Sequence, residues 1–174
     1  IEKAALANVL VPVSNTFHVT MMVNRGYSSA SAMKESADRI RYRCGGDRAR
    51  PVVIYLGDHD PSGEDMVRDI RERLTEFGCP SWLSVRKLAL TMEQIQQYAC
   101  PPNPAKLSDS RAAAYIEKFG TSSWELDALP PDVLEDMLAD AVRSYIDKAK
   151  MDAIISRENA IKTQLRHVAT QLPK

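Results

Sequence analysis

Net charge is what this 174-residue sequence lacks most plainly: 23 Lys and Arg stand against 23 Asp and Glu, with a sequence pI near 7.0. The balance excludes a chain that coats nucleic acid through overall basicity. It leaves room only for a local basic groove whose contacts are focused on a site and assisted by metal. Cysteine is scarce as well. Cys44, Cys79 and Cys100 are odd in number and widely spaced, with neither a zinc pattern nor a disulfide framework, so free thiols in a reducing, cytoplasmic setting are expected. No apolar run approaches the length of a membrane span and no signal peptide is visible, so no membrane partner is expected. Internal repeats and low-complexity segments are also missing. So is an initiator Met. Ile1-Glu2-Lys3 reads as the last residues of a strand, which carries the expectation of an upstream domain not in this chain.

What is there centres on Val52-Val53-Ile54-Tyr55-Leu56-Gly57-Asp58-His59-Asp60-Pro61-Ser62-Gly63-Glu64-Asp65. A β-branched apolar run stops at Gly and two aspartates, and a helical pattern begins at once. This predicts a buried parallel strand with acids at its carboxyl end, where open α/β sheets gather their ligands. Asp58 and Asp60 lie two apart, so in an extended segment both carboxylates point the same way, as sharing a hard divalent cation requires. The plainer alternative is a loop in which one aspartate caps the helix.

The remaining elements follow from pattern and punctuation. Ala4 to Leu10 predicts a short helix stopped near Pro12, and Thr16 to Met22 a strand. Ser28 or Ser29 caps a helix running to Arg43, and Gly45-Gly46-Asp47 breaks it. Met66, Ile70 and Leu74 recur every fourth residue in a helix from Ser62 to about Phe77. Trp82 to Leu90 is a further strand. The alternation implies right-handed crossovers and a mainly parallel sheet covered on both faces. Thr91 and Gln94 fit a capping box for a helix through Tyr98, and Cys100 to Lys106 is a stiff extended segment with polyproline character. Ser110 to Phe119 is helical and Ser123 to Leu129 is short and extended. A helix from Asp132 runs to Lys148 or into the C-terminal segment. Met151 to Leu172 is amphipathic, with Ile154, Ile155, Ile161, Leu165 and Val168 on one stripe that suits docking or a homodimer.

The chemistry follows from the carboxylates. Glu2 ends the first predicted strand, and Asp58 and Asp60 end the third. If these strands are neighbours, three acids converge on one crevice. Oxygen-only ligands favour Mg²⁺, with Mn²⁺ as a substitute, and suit phosphoryl transfer on a polyanion. Taken alone, Glu2 is equally a solvated strand end.

The Glu2 motif followed by Asp58-x-Asp60, each after an apolar strand, resembles the Toprim domain of topoisomerases, bacterial primases, recombination-mediator proteins and overcoming-lysogenisation-defect nucleases. Ile1-Glu2-Lys3, Arg25-Gly26-Tyr27 and Gly57-Asp58-His59-Asp60-Pro61-Ser62-Gly63 are most similar to the type IIB topoisomerase A subunit and the meiotic break-forming transesterase. Asn103-Pro104-Ala105-Lys106 and Asp109-Ser110-Arg111 add a likeness to Toprim-containing proteins of bacteria and phages. The resemblance implies a Rossmann-like Toprim fold with a four-stranded, mainly parallel sheet. Its core would span 1–90, with a Pro-rich loop, short helices and an acidic strand over 91–129 and a helical extension over 130–174. It implies that Glu2 is a general acid/base or metal ligand, that Asp58 and Asp60 hold Mg²⁺, and that DNA is the partner. His59 then points to the opposite side in a supporting role, while Glu64 and Asp65 lie in the first helical turn, where the helix dipole favours acids. Lys3, Arg25, Arg86, Lys87, Lys106 and Arg111 lie near the crevice. Arg25 with Gly26, then Lys106 and Arg111, are the phosphate-contact candidates.

One departure matters. The type IIB enzymes cut DNA with a tyrosine on a winged helix ahead of Toprim, and none of the six tyrosines here has that context. The chain then reads as the metal-holding part of a topoisomerase-like or nuclease protein. The alternative is a non-catalytic DNA-binding or assembly module with a weak metal site. A phosphatase or receiver-like domain with an aspartyl nucleophile fits Glu2 and the Asp-Pro-x-Gly turn less well, and a primase would bring a zinc motif that is not present.

Overall fold

A computed structural model describes residues 1, 3–23, 28–44, 50–106 and 108–171. Glu2, Arg25, Gly26 and the Gly45-Gly46-Asp47 break lie outside the described residues. The fold is mixed α/β and rich in helix, with a small parallel sheet. The chain divides into two compact units, Ile1–Ala139 and Asp140–Lys174.

Strand β1 (Val52–Leu56) pairs in parallel with β2 (Ser84–Ala89), and helix α3 (Pro61–Glu76) makes the crossover. Helix α2 (Ala30–Arg43) starts where the sequence predicts, with Ser29 accepting from the Ala32 N–H at 3.1 Å. One core forms around Met33 and Ala37 of α2, Tyr55 of β1, Met66, Ile70 and Leu74 of α3, and Val85 of β2. The fourfold spacing of the three α3 residues sets them on one stripe, and burying each contributes about 1.5–3 kcal/mol.

The first helix departs from expectation. A 3-10 turn at Ala4–Leu6 leads into α1 (Ala7–Thr16), which runs through Pro12 instead of stopping there. Pro12 forfeits one helical hydrogen bond. The helix nevertheless continues over buried Leu10 and Ser14, and a Schellman motif ends it six residues later. His18 takes the left-handed conformation (φ 53°), its N–H reaching Asn15 O at 3.1 Å and the Val19 N–H reaching Ser14 O at 2.9 Å. Thr16, Phe17 and His18 therefore finish a helix instead of opening a strand, and residues 19–23 are neither helix nor strand. Among the described residues the parallel sheet has two strands.

Beyond β2, Thr91 and Gln94 form the expected capping box on α4 (Met92–Gln97). The Pro-rich segment supplies β3 (Asn103–Pro104), which pairs antiparallel with β4 (Ser122–Ser123) around α5 (Ala112–Phe119). Helix α6 (Pro131–Arg143) stops before Lys148, and α7 (Lys148–Gln171) starts afresh with Asp147 accepting from the Lys150 N–H at 3.2 Å. No helix among the described residues is long and apolar enough to cross a membrane.

Candidate functional site

The acidic turn is held where β1 ends and α3 begins. Gly57 continues the sheet, donating to Ala89 O and accepting from the Leu90 N–H, both at 2.8 Å. Asp60 is the N-cap of α3. Its Oδ1 accepts from the Gly63 N–H at 2.7 Å and from Ser62 Oγ at 3.0 Å, and Pro61 follows in the first helical turn, where its missing N–H costs nothing. Gly63 is required by contact: a Cβ there would stand 2.1 Å from Asp58 O and 3.2 Å from Asp60 Oδ1. The helix therefore meets the carbonyl of one aspartate and the carboxylate of the other at a single backbone position.

Asp58 is fixed from a distance in sequence. Its Oδ1 accepts from the Leu126 N–H at 2.7 Å, and its carbonyl accepts from Lys87 Nζ at 2.8 Å. Lys87 also pairs with Glu64 Oε1 at 2.6 Å, so Glu64 is committed to a lysine. Lys3 brings its ammonium within 2.8 Å of Glu125, 3.0 Å of Asp127 and 3.7 Å of Asp58. Burial works against that charge, but the hydrogen bonds to Glu125 and Asp127 and the charge of Asp58 outweigh it, and the Lys3 pKa is raised.

His59 sits between the aspartates and is buried, turned into a pocket of Tyr115, Phe119 and Trp124. Its backbone exchanges two hydrogen bonds with Trp124, at 2.8 and 3.0 Å. Tyr115 Oη lies 3.0 Å from His59 O, 2.9 Å from Ser122 O and 2.9 Å from His59 Nδ1. With its single proton shared between the two carbonyls, Tyr115 accepts from Nδ1–H, which leaves Nε2 facing Glu64 Oε1 at 3.7 Å. Burial pushes the His59 pKa down, against the Glu64 charge and with that of Lys87. Burial and then the charges of Glu64 and Asp60 push that of Tyr115 up.

The expected basic contacts separate. Lys106 is exposed, whereas Arg111 grips Asp109 with two nitrogens at 2.7 and 2.8 Å and lies 3.5 Å from Asp65. Asp65 is further bound by Arg68 at 2.7 and 2.8 Å. Sequence alone drew attention to Lys3 and Lys87 but not to Tyr115, whose link to His59 spans 56 positions. Among the described residues no group of three or more His, Cys, Asp or Glu is arranged to hold a metal ion, and Glu2, the third expected carboxylate, lies outside them. No family model, no curated protein and no solved structure matches this chain.

Proposed function

We propose that the acidic turn, with Glu2, is a Toprim-type Mg²⁺ site for phosphodiester chemistry on DNA, with Mn²⁺ as a substitute. The supporting observation is the paired anchoring of Asp58 and Asp60 at the carboxyl end of β1. Each Oδ1 takes a backbone N–H at 2.7 Å, which fixes both carboxylates before any cation arrives. The donor set is hard oxygen, as Mg²⁺ and Mn²⁺ prefer, and the Lys3 ammonium among Asp58, Glu125 and Asp127 marks a place where positive charge is favoured.

Asp58, Asp60 and Glu2 would hold the cation, which when bound neutralises charge on a transferring phosphoryl group. Lys87 holds the Asp58 carbonyl and Glu64 at once and keeps the turn from opening. Arg25 with Gly26 and Lys106 would meet the DNA backbone, and Arg111 could join only by releasing Asp109. In this reading β1 and β2 belong to a four-stranded, Rossmann-like sheet.

Calorimetry with Mg²⁺ and Mn²⁺ tests the site, using Asp58→Asn and Asp60→Asn, which keep the hydrogen-bond acceptor and remove the charge. Binding that is lost in both variants supports the assignment. Binding unchanged in both sinks it. Cleavage of supercoiled plasmid by the wild-type chain, absent in Asp58→Asn and Glu2→Gln, would add the reaction.

A second reading, an assembly module, draws on α7, whose apolar stripe is exposed. Pairing of two copies through α7 is compatible with either activity, and sedimentation reads it directly.

A further inference from the structure

The edge of β1 that faces away from β2 has its own demand. Ser84 donates its N–H to Pro51 O at 3.1 Å, and Gly57 donates to Ala89 O at 2.8 Å. Hydrogen-bonding direction alternates along a strand, so Pro51, Val53, Tyr55 and Gly57 address β2. The N–H and C=O groups of Val52, Ile54 and Leu56 therefore point the other way. Among the described residues no strand pairs with that edge, and no backbone or side-chain hydrogen bond reaches it.

Beside this edge lies a cavity of about 280 Å³. Val52–Leu56 forms one wall and residues 19–22 line it from elsewhere in the chain. Helices α2 and α3 contribute Met33, Ile40 and Ile70, and α1 and α6 contribute Leu10 and Leu138. The lining is mostly apolar, yet Leu56, at 3 % exposure, brings main-chain donors and acceptors to it. Buried main-chain groups are almost always paired, and Leu or Ile side chains cannot pair them. Another backbone can. An extended strand lies about 4.8 Å from its neighbour, offers matching N–H and C=O groups, and presents apolar side chains to the helices on both faces.

We infer that this slot is a strand-addition site: an extended, apolar, β-branched peptide segment lies along β1 and pairs with Val52, Ile54 and Leu56. The inference deepens the four-stranded reading, because the occupant would be an inner strand. It does not depend on metal at Asp58 and Asp60.

The test is a titration of the isotopically labelled chain with a Lys-capped Val-Ile-Val-Thr-Val peptide, followed by NMR. Amides of Val52, Ile54 and Leu56 should shift and exchange about 100-fold more slowly with bound peptide, while those of Val53 and Tyr55 change little. A Gly-Ser peptide of the same length should leave them untouched. N-methylation of alternate probe residues should weaken binding about tenfold in one register. Ile54→Pro removes a slot-facing donor without removing a bond to β2 and should abolish binding. If that variant does not fold, the N-methylated probes still decide. No shift at the three amides at saturating peptide, equal binding of the Gly-Ser peptide, or three amides already protected in the free chain would each overturn the inference. Mg²⁺ titration of the same sample separates this outcome from the fate of the metal site.

Discussion

Helices α3 and α7 are both amphipathic and both carry ion pairs four residues apart, Arg68 with Glu72 and Lys162 with Glu158. Their apolar faces nevertheless meet opposite ends. In α3, Met66, Ile70 and Leu74 are buried against α2 and the sheet. In α7, Ile154, Ile161, Leu165 and Val168 keep between 46 and 63 % of their surface in water, and no α7 residue is buried. An apolar stripe states a demand for a partner; it does not supply one. What α3 has in addition is a fixed start. Asp60 caps it and Gly63 lets it approach the Asp58 carbonyl, so its first turn is joined to the sheet. Helix α7 rests on local terms, an Asp147 cap and the intrahelical pairs, each worth a few tenths of a kcal/mol to about 1 kcal/mol.

The sharpest way to break this comparison is to add side-chain carbon at one position in each helix. Gly63→Ala puts a Cβ 2.1 Å from a backbone oxygen that cannot turn away, and it should cost about 3 kcal/mol despite the better helix propensity of Ala. Adding carbon to the exposed Ala160 by Ala160→Val should cost only the propensity difference, roughly 0.6 kcal/mol. Urea denaturation midpoints measure both. Near-equal losses would mean that the start of α3 is not pinned to Asp58.

A smaller effect concerns the histidine beside the pinned turn. Tyr115→Phe removes the acceptor of His59 Nδ1–H in a buried pocket and should cost about 2 kcal/mol. The pH dependence has a definite sign. Burial lowers the His59 pKa in the folded chain, so as pH falls below the ordinary value of 6.5 the unfolded chain takes up the proton first. Stability from this group is complete above 6.5 and declines as pH falls towards the folded pKa. His59→Gln should flatten that decline, as thermal melts between neutral and mildly acidic pH would register; an unchanged slope would assign it to other groups.

The two regions also differ in how far the sequence could be read. Where a signal is local it was legible: the fourfold spacing in α3, the Ser29 cap, and the Thr91–Gln94 box. Helix α1 outruns its sequence pattern: Pro12 looks like a stop, but the helix is stopped at His18, a residue without the glycine signature of a left-handed C-cap. At the site, Asp58 and Asp60 stood out by spacing, but what fixes Asp58 did not. A backbone N–H at Leu126, 68 positions away, has no side-chain signature. Cations near a crevice look alike in sequence, and only geometry shows that Arg111 grips Asp109 while Lys106 stays exposed. For α7 the stripe itself was plain, and what covers it depends on residues the helix does not contain.

Next in size is the cap. Asp60→Ala removes the acceptor for the Gly63 N–H and should cost about 1 kcal/mol, whereas Asp60→Asn keeps it and should cost a few tenths. The pair separates two roles of one carboxylate. If metal binding falls equally in both variants while stability falls only with Ala, charge serves the cation and the oxygen serves the helix. If both properties follow the cap, the aspartate is structural and the metal proposal fails at this residue.

The smallest expected change in the folding of a single chain belongs to α7. Leu165 is 63 % exposed, so Leu165→Asp removes little burial and should move the unfolding midpoint of the rest of the chain by less than about 0.5 kcal/mol. Its effect on assembly should be the reverse of small. If two copies pair through this stripe, an aspartate in the seam meets its counterpart or an apolar neighbour without water, and the sedimenting species should shift from dimer to monomer. Tyr42→Asp is the control: Tyr42, on α2, is 88 % exposed and lies outside the stripe, so it should leave the sedimenting species unchanged. A monomeric wild type removes self-pairing. A loss of thermal stability at Leu165→Asp comparable to that at Gly63→Ala would mean that α7 is as much a part of the packed core as α3, and the contrast between them would be gone.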